Sequence, residues 1–199
     1  MHYCQVCVEP VIMMSEPPLA RCPQCGSTER ARTAPVFLVT GASGSGKTTI
    51  FPYLVDALPE YGVFDVDWLI DPVGRLCGGE TMDWVNFRDT WLAVAHAVAQ
   101  AGRPTVLLGP FSRAQVDPLP ARKWIGQIHI AVLDCADDVR RARLEARPAW
   151  RERNVDEHIE FAGHLRAAGD IVFSTEKGGP DDVARDVASW VRAQAADRA

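Results

Sequence analysis

A chain of 199 residues, 47% hydrophobic and 24% charged, has the composition of a globular protein with room for one ordinary domain and a small appendage. Its formal net charge of −5 argues against a protein held to nucleic acid or to a membrane surface mainly by charge. No apolar run approaches the ~20 residues of a bilayer span. The Met1-His-Tyr-Cys-Gln-Val-Cys7 start lacks the basic-then-apolar pattern of a secretory signal, so a cytoplasmic protein is expected.

Four of the six cysteines fall in two pairs, Cys4-x-x-Cys7 and Cys22-x-x-Cys25, with 14 residues between them. Two knuckles joined by a loop of this size supply four thiolates for a tetrahedral Zn²⁺, as in a zinc ribbon. Gly26 follows the second knuckle and lets the chain turn back over the metal. A redox pair or disulfides fit a reducing compartment poorly, and neither pair has a thioredoxin-like strand and helix around it. Residues 1–34 hold three arginines (Arg21, Arg30, Arg32) against three glutamates (Glu9, Glu16, Glu29), so the module is neutral. Binding a phosphate backbone needs an excess of cations. A structural or docking role is favoured, with nucleic acid kept as the alternative partner. Glu29 to Ala34 reads as a linker, which gives a zinc ribbon and linker over 1–34 and a main domain over 35–199.

From Pro35 the pattern alternates strand and helix, which predicts a parallel five-stranded sheet covered on both faces, an α/β/α arrangement. The expected strands are Val36–Thr40, Gly62–Val66, Thr105–Gly109, Ile128–Leu133 and Ile171–Phe173. The expected helices are Lys47–Leu58, Asp83–Ala101, Ala136–Arg147, Val155–Ala168 and Pro180–Ala195. Pro52 lies inside the first helix, where a missing N–H predicts a kink. Asn154 and Glu157 form a capping pair for the fourth. Gly102 ends the second, on whose face Trp84, Phe87, Trp91, Val94 and Val98 align.

Between the first strand and helix stands Gly41-Ala42-Ser43-Gly44-Ser45-Gly46-Lys47-Thr48, which fits the phosphate-binding pattern G-x-x-x-x-G-K-[ST] at every fixed position. Glycines let successive backbone N–H groups face a polyphosphate, and the helix N-terminus adds a positive dipole end. Lys47 would reach the β and γ phosphates and the Thr48 hydroxyl would ligate Mg²⁺, with Thr49 beside it. The octet predicts a three-layer P-loop fold that binds a nucleoside triphosphate.

Asp65 and Asp67 end the second strand at i and i+2, so both are expected on one side of that strand, facing the reacting phosphate. One could hold Mg²⁺ and the other accept a substrate proton. Six arginines (Arg140, Arg141, Arg143, Arg147, Arg151, Arg153) crowd into fourteen residues. Arg140, Arg143 and Arg147 fall at helical spacing on one face, and Pro148 then breaks the helix ahead of an expected lid. Trp84, Phe87, Arg88 and Trp91 either stack a planar acceptor ring or pack as core, with Arg88 placed to meet an acceptor phosphate or carboxylate. Gly109-Pro-Phe-Ser-Arg113 carries no acid where an ordinary P-loop strand supplies a metal ligand. His96, His129, His158 and His164 have no ligand spacing; Cys77 and Cys135 read as a loop and a buried thiol.

The P-loop followed by Phe64-Asp65-x-Asp67 resembles the P-loop small-molecule kinases: shikimate, gluconate, nucleoside and nucleoside-monophosphate kinases. Tyr61-Gly-Val-Phe-Asp-Val-Asp-Trp-Leu-Ile70 is also similar to the chloramphenicol phosphotransferases of that group. The resemblance covers roughly Val36 to Val191. It implies that Asp67 contacts the acceptor hydroxyl, that Asp65 is its partner acid and Mg²⁺ ligand, and that Arg143, Arg147 and Arg151 are lid arginines. It also implies that Ser174–Gly179 wraps adenine with backbone groups. The expectation is an ATP- and Mg²⁺-dependent phosphotransferase acting on a small hydroxylated acceptor. The alternatives are a polynucleotide 5′-kinase and a regulatory ATPase without acceptor. No Asn-Lys-x-Asp guanine-reading motif is present, nor a strand ending in Asp-Glu.

Overall fold

The computed structural model describes residues 2–4, 6–8, 10–11, 19–30, 32–72, 82–148 and 154–196. The N-terminal part consists of two antiparallel hairpins. β1 (His2–Tyr3) pairs with β2 (Pro10–Val11), and β3 (Leu19–Arg21) with β4 (Thr28–Arg30).

The rest is an α/β structure around a parallel sheet of β5 (Val36–Thr40), β6 (Gly62–Asp65), β7 (Thr105–Leu108), β8 (Ile128–Asp134) and β9 (Ile171–Ser174). Its spatial order is β6-β7-β5-β8-β9. β5 therefore lies at the centre, with β7 on one side and β8 on the other. Every residue of β5 is buried, as both faces of a covered parallel sheet require. Alternation along β5 splits the core. Val36 and Leu38 face one layer, with Phe87, Trp91 and Leu92 of α2 (Trp84–Gln100). Phe37 and Val39 face the other, with Ile50 and Leu54 of α1 (Lys47–Ala57) and with Val183 and Val187 of the long C-terminal helix Pro180–Ala196.

Further helices among the described residues include α3 (Arg113–Val116), α4 (Asp137–Glu145), α5 (Val155–Ala168) and α6, the Pro180–Ala196 helix just named. Their ends follow local chemistry. The Asp83 carboxylate accepts from the Val85 and Asn86 N–H groups at 3.0 Å and starts α2. Asn154 accepts from Glu157 N at 3.4 Å and donates to the Glu157 carboxylate at 2.6 Å. α1 continues through Pro52 rather than ending there, leaving the Thr48 carbonyl without its usual i+4 donor.

Two expectations change. β6 stops at Asp65, and Val66–Leu69 turns into a 3₁₀ helix, so Asp65 and Asp67 do not share one side of a strand. The Asp65 carboxylate caps that turn by accepting from Asp67 N at 3.1 Å, a local bond that competes with strand continuation. Secondly, α4 ends at Glu145, so the helical spacing of Arg140, Arg143 and Arg147 does not carry through to Arg147.

Candidate active site

The loop between β5 and α1 sits at the carboxyl end of the central strand, where chain connections depart to opposite sides and a crevice opens. Gly46 caps α1 at φ 94°, a left-handed conformation that costs a residue with a Cβ about 1–2 kcal/mol. At Gly41 a Cβ would lie 2.5 Å from the Leu133 carbonyl oxygen and 2.4 Å from Ser45 Oγ, so only glycine fits between β8 and the loop. The Ser45 hydroxyl oxygen is buried and has no hydrogen-bond partner among the described residues. The Lys47 ammonium donates to the Gly41 carbonyl and, at 3.3 Å, to that of Ala42. Burial pushes its pKa down to about 8; Asp67 and Asp65 pull it upward, while Arg140 and Arg147 press it further down. The buried Ser45 hydroxyl, the helix N-terminus and the Lys47 ammonium together form a donor set that a polyphosphate fits.

This loop borders a cavity of about 700 Å³. Residues 43–50 form one wall; Asp67, Arg143 and Arg147 also line it, and Thr175, Gly178, Gly179, Pro180 and Val183 close another side. Gly179 N donates to the Asp182 carboxylate at 2.9 Å, which fixes the turn into α6. The Ser174–Gly179 stretch therefore borders the same space as the phosphate loop.

The carboxylate pair divides its work. Asp67 is exposed and faces the cavity, whereas Asp65 is half-buried and holds the 3₁₀ turn. The turn is anchored from below by Trp91, whose Nε1–H donates to the Val66 carbonyl at 3.1 Å. Gly109 lets it pack closely, since a Cβ there would meet Val66 Cγ2 at 2.4 Å. The acids lie near enough to Lys47 to raise its pKa, so the turn presents negative charge to the loop.

The arginines separate into three settings. Arg143 Nη1 donates to the Gly44 carbonyl and to Thr175 Oγ1, both at 3.0 Å, and its Nη2 to the Thr175 carbonyl at 3.0 Å. Arg147 lines the cavity beyond the end of α4. Arg140 is wholly buried beneath the loop. Arg151 lies outside the described residues, as do Arg153 and Cys77.

The aromatic set of α2 also divides. Phe87 and Trp91 are core residues, 1% and 2% exposed. Trp84 is 47% exposed, packs edge-on against Phe87, and lies 6.0 Å beneath the Arg88 guanidinium. Burial lowers the Arg88 pKa from its ordinary value, and the buried Arg88 Nε has no partner among the described residues. Ser112 and Arg113 are committed to structure: Ser112 caps α3, and Arg113 pairs with Asp170 at 3.2 Å. Thr175, Asp134 and Arg166 join the site without any motif to announce them. The one sequence signal is the acid that closes the apolar run Ile128–Leu133.

No protein-family model matches the chain, and no curated protein sequence matches it. Solved structures do superpose on it. A tunicamycin resistance protein from Deinococcus radiodurans does so with a TM-score of 0.63 at 22% identity, covering 79% of this chain and 95% of its own. A sugar kinase from Janibacter sp. HTCC2649 gives 0.59 at 20% identity, covering 83% and 97%. A shikimate kinase from Acinetobacter baumannii, solved with shikimate, gives 0.51 at 18%, covering 82% and 96%. The chain has the fold of the P-loop kinases.

Ahead of this kinase fold, each N-terminal hairpin carries one cysteine pair. Cys4 Sγ lies 3.6 Å from Cys25 Sγ, Cys7 Sγ lies 3.6 Å from Cys22 Sγ, and all four sulfurs fall within 4.8 Å of one another. A tetrahedron with Zn–S of about 2.3 Å has S···S edges near 3.8 Å, so the four thiols match a zinc ion. None of the four is in a disulfide. The Ser27 hydroxyl, 3.1 Å from both Cys4 and Cys25 sulfurs, is the main influence that lowers the pKa of each, Cys4 to about 6. Both knuckles close alike: Val8 N donates to Cys4 O at 2.8 Å and Gly26 N to Cys22 O at 2.9 Å. Gly26 is left-handed, and so is Val8 at φ 59°, the one such non-glycine residue among those described.

Proposed function

We propose that this chain is an ATP-dependent phosphotransferase that moves the γ-phosphoryl group of ATP to a hydroxyl or phosphate oxygen of a small acceptor, a nucleoside, nucleotide or similar metabolite. The observation that carries the reading is the opening of the Asp67 carboxylate into the same cavity as the phosphate loop, Arg143 and Arg147. Asp67 takes the proton from an acceptor hydroxyl as its oxygen attacks the γ-phosphorus; the new O–P bond forms, the bridging P–O bond breaks, and ADP departs. Lys47 and Arg147 balance charge on the transferred group, and the glycine-rich backbone holds the β-phosphate. Arg143 ties the loop to Thr175 and so sets the width of the nucleotide cleft. Thr48 and Asp65 are the residues that would hold Mg²⁺, which would supply further charge neutralisation when bound. Trp84 and Arg88 lie on the first turns of α2 and would meet the acceptor, Arg88 through an anionic group.

Residues 1–34 form, on this reading, a module closed by Zn²⁺ on Cys4, Cys7, Cys22 and Cys25, and residues 35–199 the catalytic part. Its neutral charge supports docking or stabilisation rather than nucleic-acid binding.

The test is ADP release from Mg-ATP over a panel of nucleosides, nucleoside monophosphates, sugar acids, antibiotics and RNA or DNA 5′ ends, with Lys47→Ala as the blank. Acceptor-dependent release, lost by about 10²–10⁴-fold in Asp67→Asn while ADP still binds, supports the proposal. Slow release indifferent to every acceptor overturns it in favour of a regulatory ATPase. Transfer confined to nucleic-acid 5′ ends overturns the small-acceptor assignment.

A further inference from the structure

Beneath the phosphate loop lies an ion cluster that the transfer step does not use. Arg140 of α4 has 0% exposure and heads the wholly buried side chains by volume. Its guanidinium is split between two partners: Nη1 donates to the Ser43 carbonyl at 2.8 Å, and Nη2 to Asp134 Oδ1. Asp134 closes β8 and is itself buried. Its other oxygen accepts from Arg166 Nη1 of α5 at 2.9 Å, and Arg166 reaches Asp137 at 3.4 Å. The main-chain oxygen of Asp134 accepts from Thr175 N at 2.8 Å, and Thr175 is the residue to which Arg143 ties Gly44. One strand-end residue thus holds the loop, the helices before and after the arginine segment, and the turn that leads to α6.

A buried carboxylate and a buried guanidinium are costly to bring out of water, and two apolar side chains would pack there at less expense in solvation. The arrangement has a geometric product instead. Pinning the Ser43 carbonyl downward turns the Gly44 N–H the opposite way across a trans peptide, towards the side on which Gly44 lines the cavity. Arg143, which itself lines the cavity, holds the next carbonyl, that of Gly44, at 3.0 Å. Arg140 touches no cavity-lining side chain directly through these bonds; it acts on the loop backbone.

We propose that Arg140, clamped by Asp134 and steadied by Arg166, is a positioning residue that sets the Ser43–Gly44 peptide for polyphosphate binding. The inference rests on the nucleotide-binding reading above, but not on the acceptor or on transfer. An effect carried by the loop falls on the phosphates beyond the first and spares the nucleoside end.

Isothermal titration of ADP and of AMP into wild type, Arg140→Lys and Arg166→Gln tests it. Lysine keeps the buried charge and loses the fork. The expected result is ADP affinity lowered about tenfold in Arg140→Lys and about threefold in Arg166→Gln, with AMP affinity within about twofold of wild type. Arg166 is 36% exposed at its side chain, so its replacement keeps the fold and the test intact if the buried variant fails to fold. Wild-type ADP affinity in both variants, or equal losses for ADP and AMP, overturns the assignment. A protein that binds ADP and shows the split without transferring phosphate to any acceptor sinks the kinase reading and leaves this one standing.

Discussion

The depressed pKa of Lys47 makes nucleotide binding a proton-linked event. In the free loop the ammonium titrates at about 8, chiefly because it is buried, an effect that Asp67 and Asp65 offset only in part and that Arg140 and Arg147 deepen. A polyphosphate laid along the loop restores the charged form, and the pKa returns towards its unperturbed value near 10.4. On those two values ADP binding takes up about 0.1 proton at pH 7, about 0.5 at pH 8 and about 0.9 at pH 9. ADP affinity correspondingly falls about tenfold from pH 7 to pH 9, since binding must first protonate the lysine. For the unliganded fold the sign is opposite to that of a salt-bridged lysine. The folded pKa lies below the unfolded one, so between about pH 8 and 10.5 the unfolded chain binds the extra proton and stability rises with pH. Below pH 8 the full penalty is present, on the order of 3 kcal/mol before solvent screening. Titration calorimetry in two buffers of different ionisation enthalpy reads the uptake directly, with Lys47→Met as the zero. Uptake under about 0.1 proton at every pH, or an affinity flat from pH 7 to 9, refutes the reasoning.

Four further outcomes are expected. Trp91→Phe removes the donor to the buried Val66 carbonyl and should cost about 1–3 kcal/mol in urea unfolding while lowering transfer by loosening the turn that carries Asp67; an unchanged unfolding midpoint counts against that anchor. Val8→Gly relieves a left-handed β-branched residue and should raise stability by about 1–2 kcal/mol, seen as slower zinc loss to a chelator. The purified chain should carry one equivalent of zinc by mass spectrometry, falling in Cys7→Ser. Its removal should leave ADP affinity within about twofold, because the residues lining the cavity all fall between 43 and 183. Gly46→Ala should lower ADP affinity and destabilise the fold by about 1–2 kcal/mol, through strain at φ 94°.

The sheet was legible because its signals are local: buried strands are short apolar runs, helices repeat at 3.6, and the P-loop joins one to the other. Strand and helix ends fell within a residue or two for β5 and α5, where glycine, Asn154 and burial all agree. The 3₁₀ turn was not legible, since Asp65 reads equally as a strand residue until its carboxylate is seen to cap the next N–H. For the arginines, the charge pattern pointed to Arg143 and Arg147, which line the cavity, but not to the buried setting of Arg140. Periodicity cannot distinguish a guanidinium facing solvent from one, like Arg140, drawn inward by a carboxylate that closes another strand. Partners at Asp134, Arg166 and Thr175 are brought together only by folding, and spacing carries no trace of them.

The linker from the hairpins is fastened at a particular place. The Gln100 amide donates to the Arg32 carbonyl at 2.9 Å and accepts its N–H at 3.2 Å, and Gly126 N donates to Ala34 O at 3.0 Å. These bonds deliver the chain to the amino end of β5, whereas the phosphate loop leaves from its carboxyl end, a strand's length of about 16 Å away. The tether therefore enters by the opposite door from the nucleotide. A load on the hairpins would hang from the foot of the central strand, a strand's length from the phosphate loop at its head.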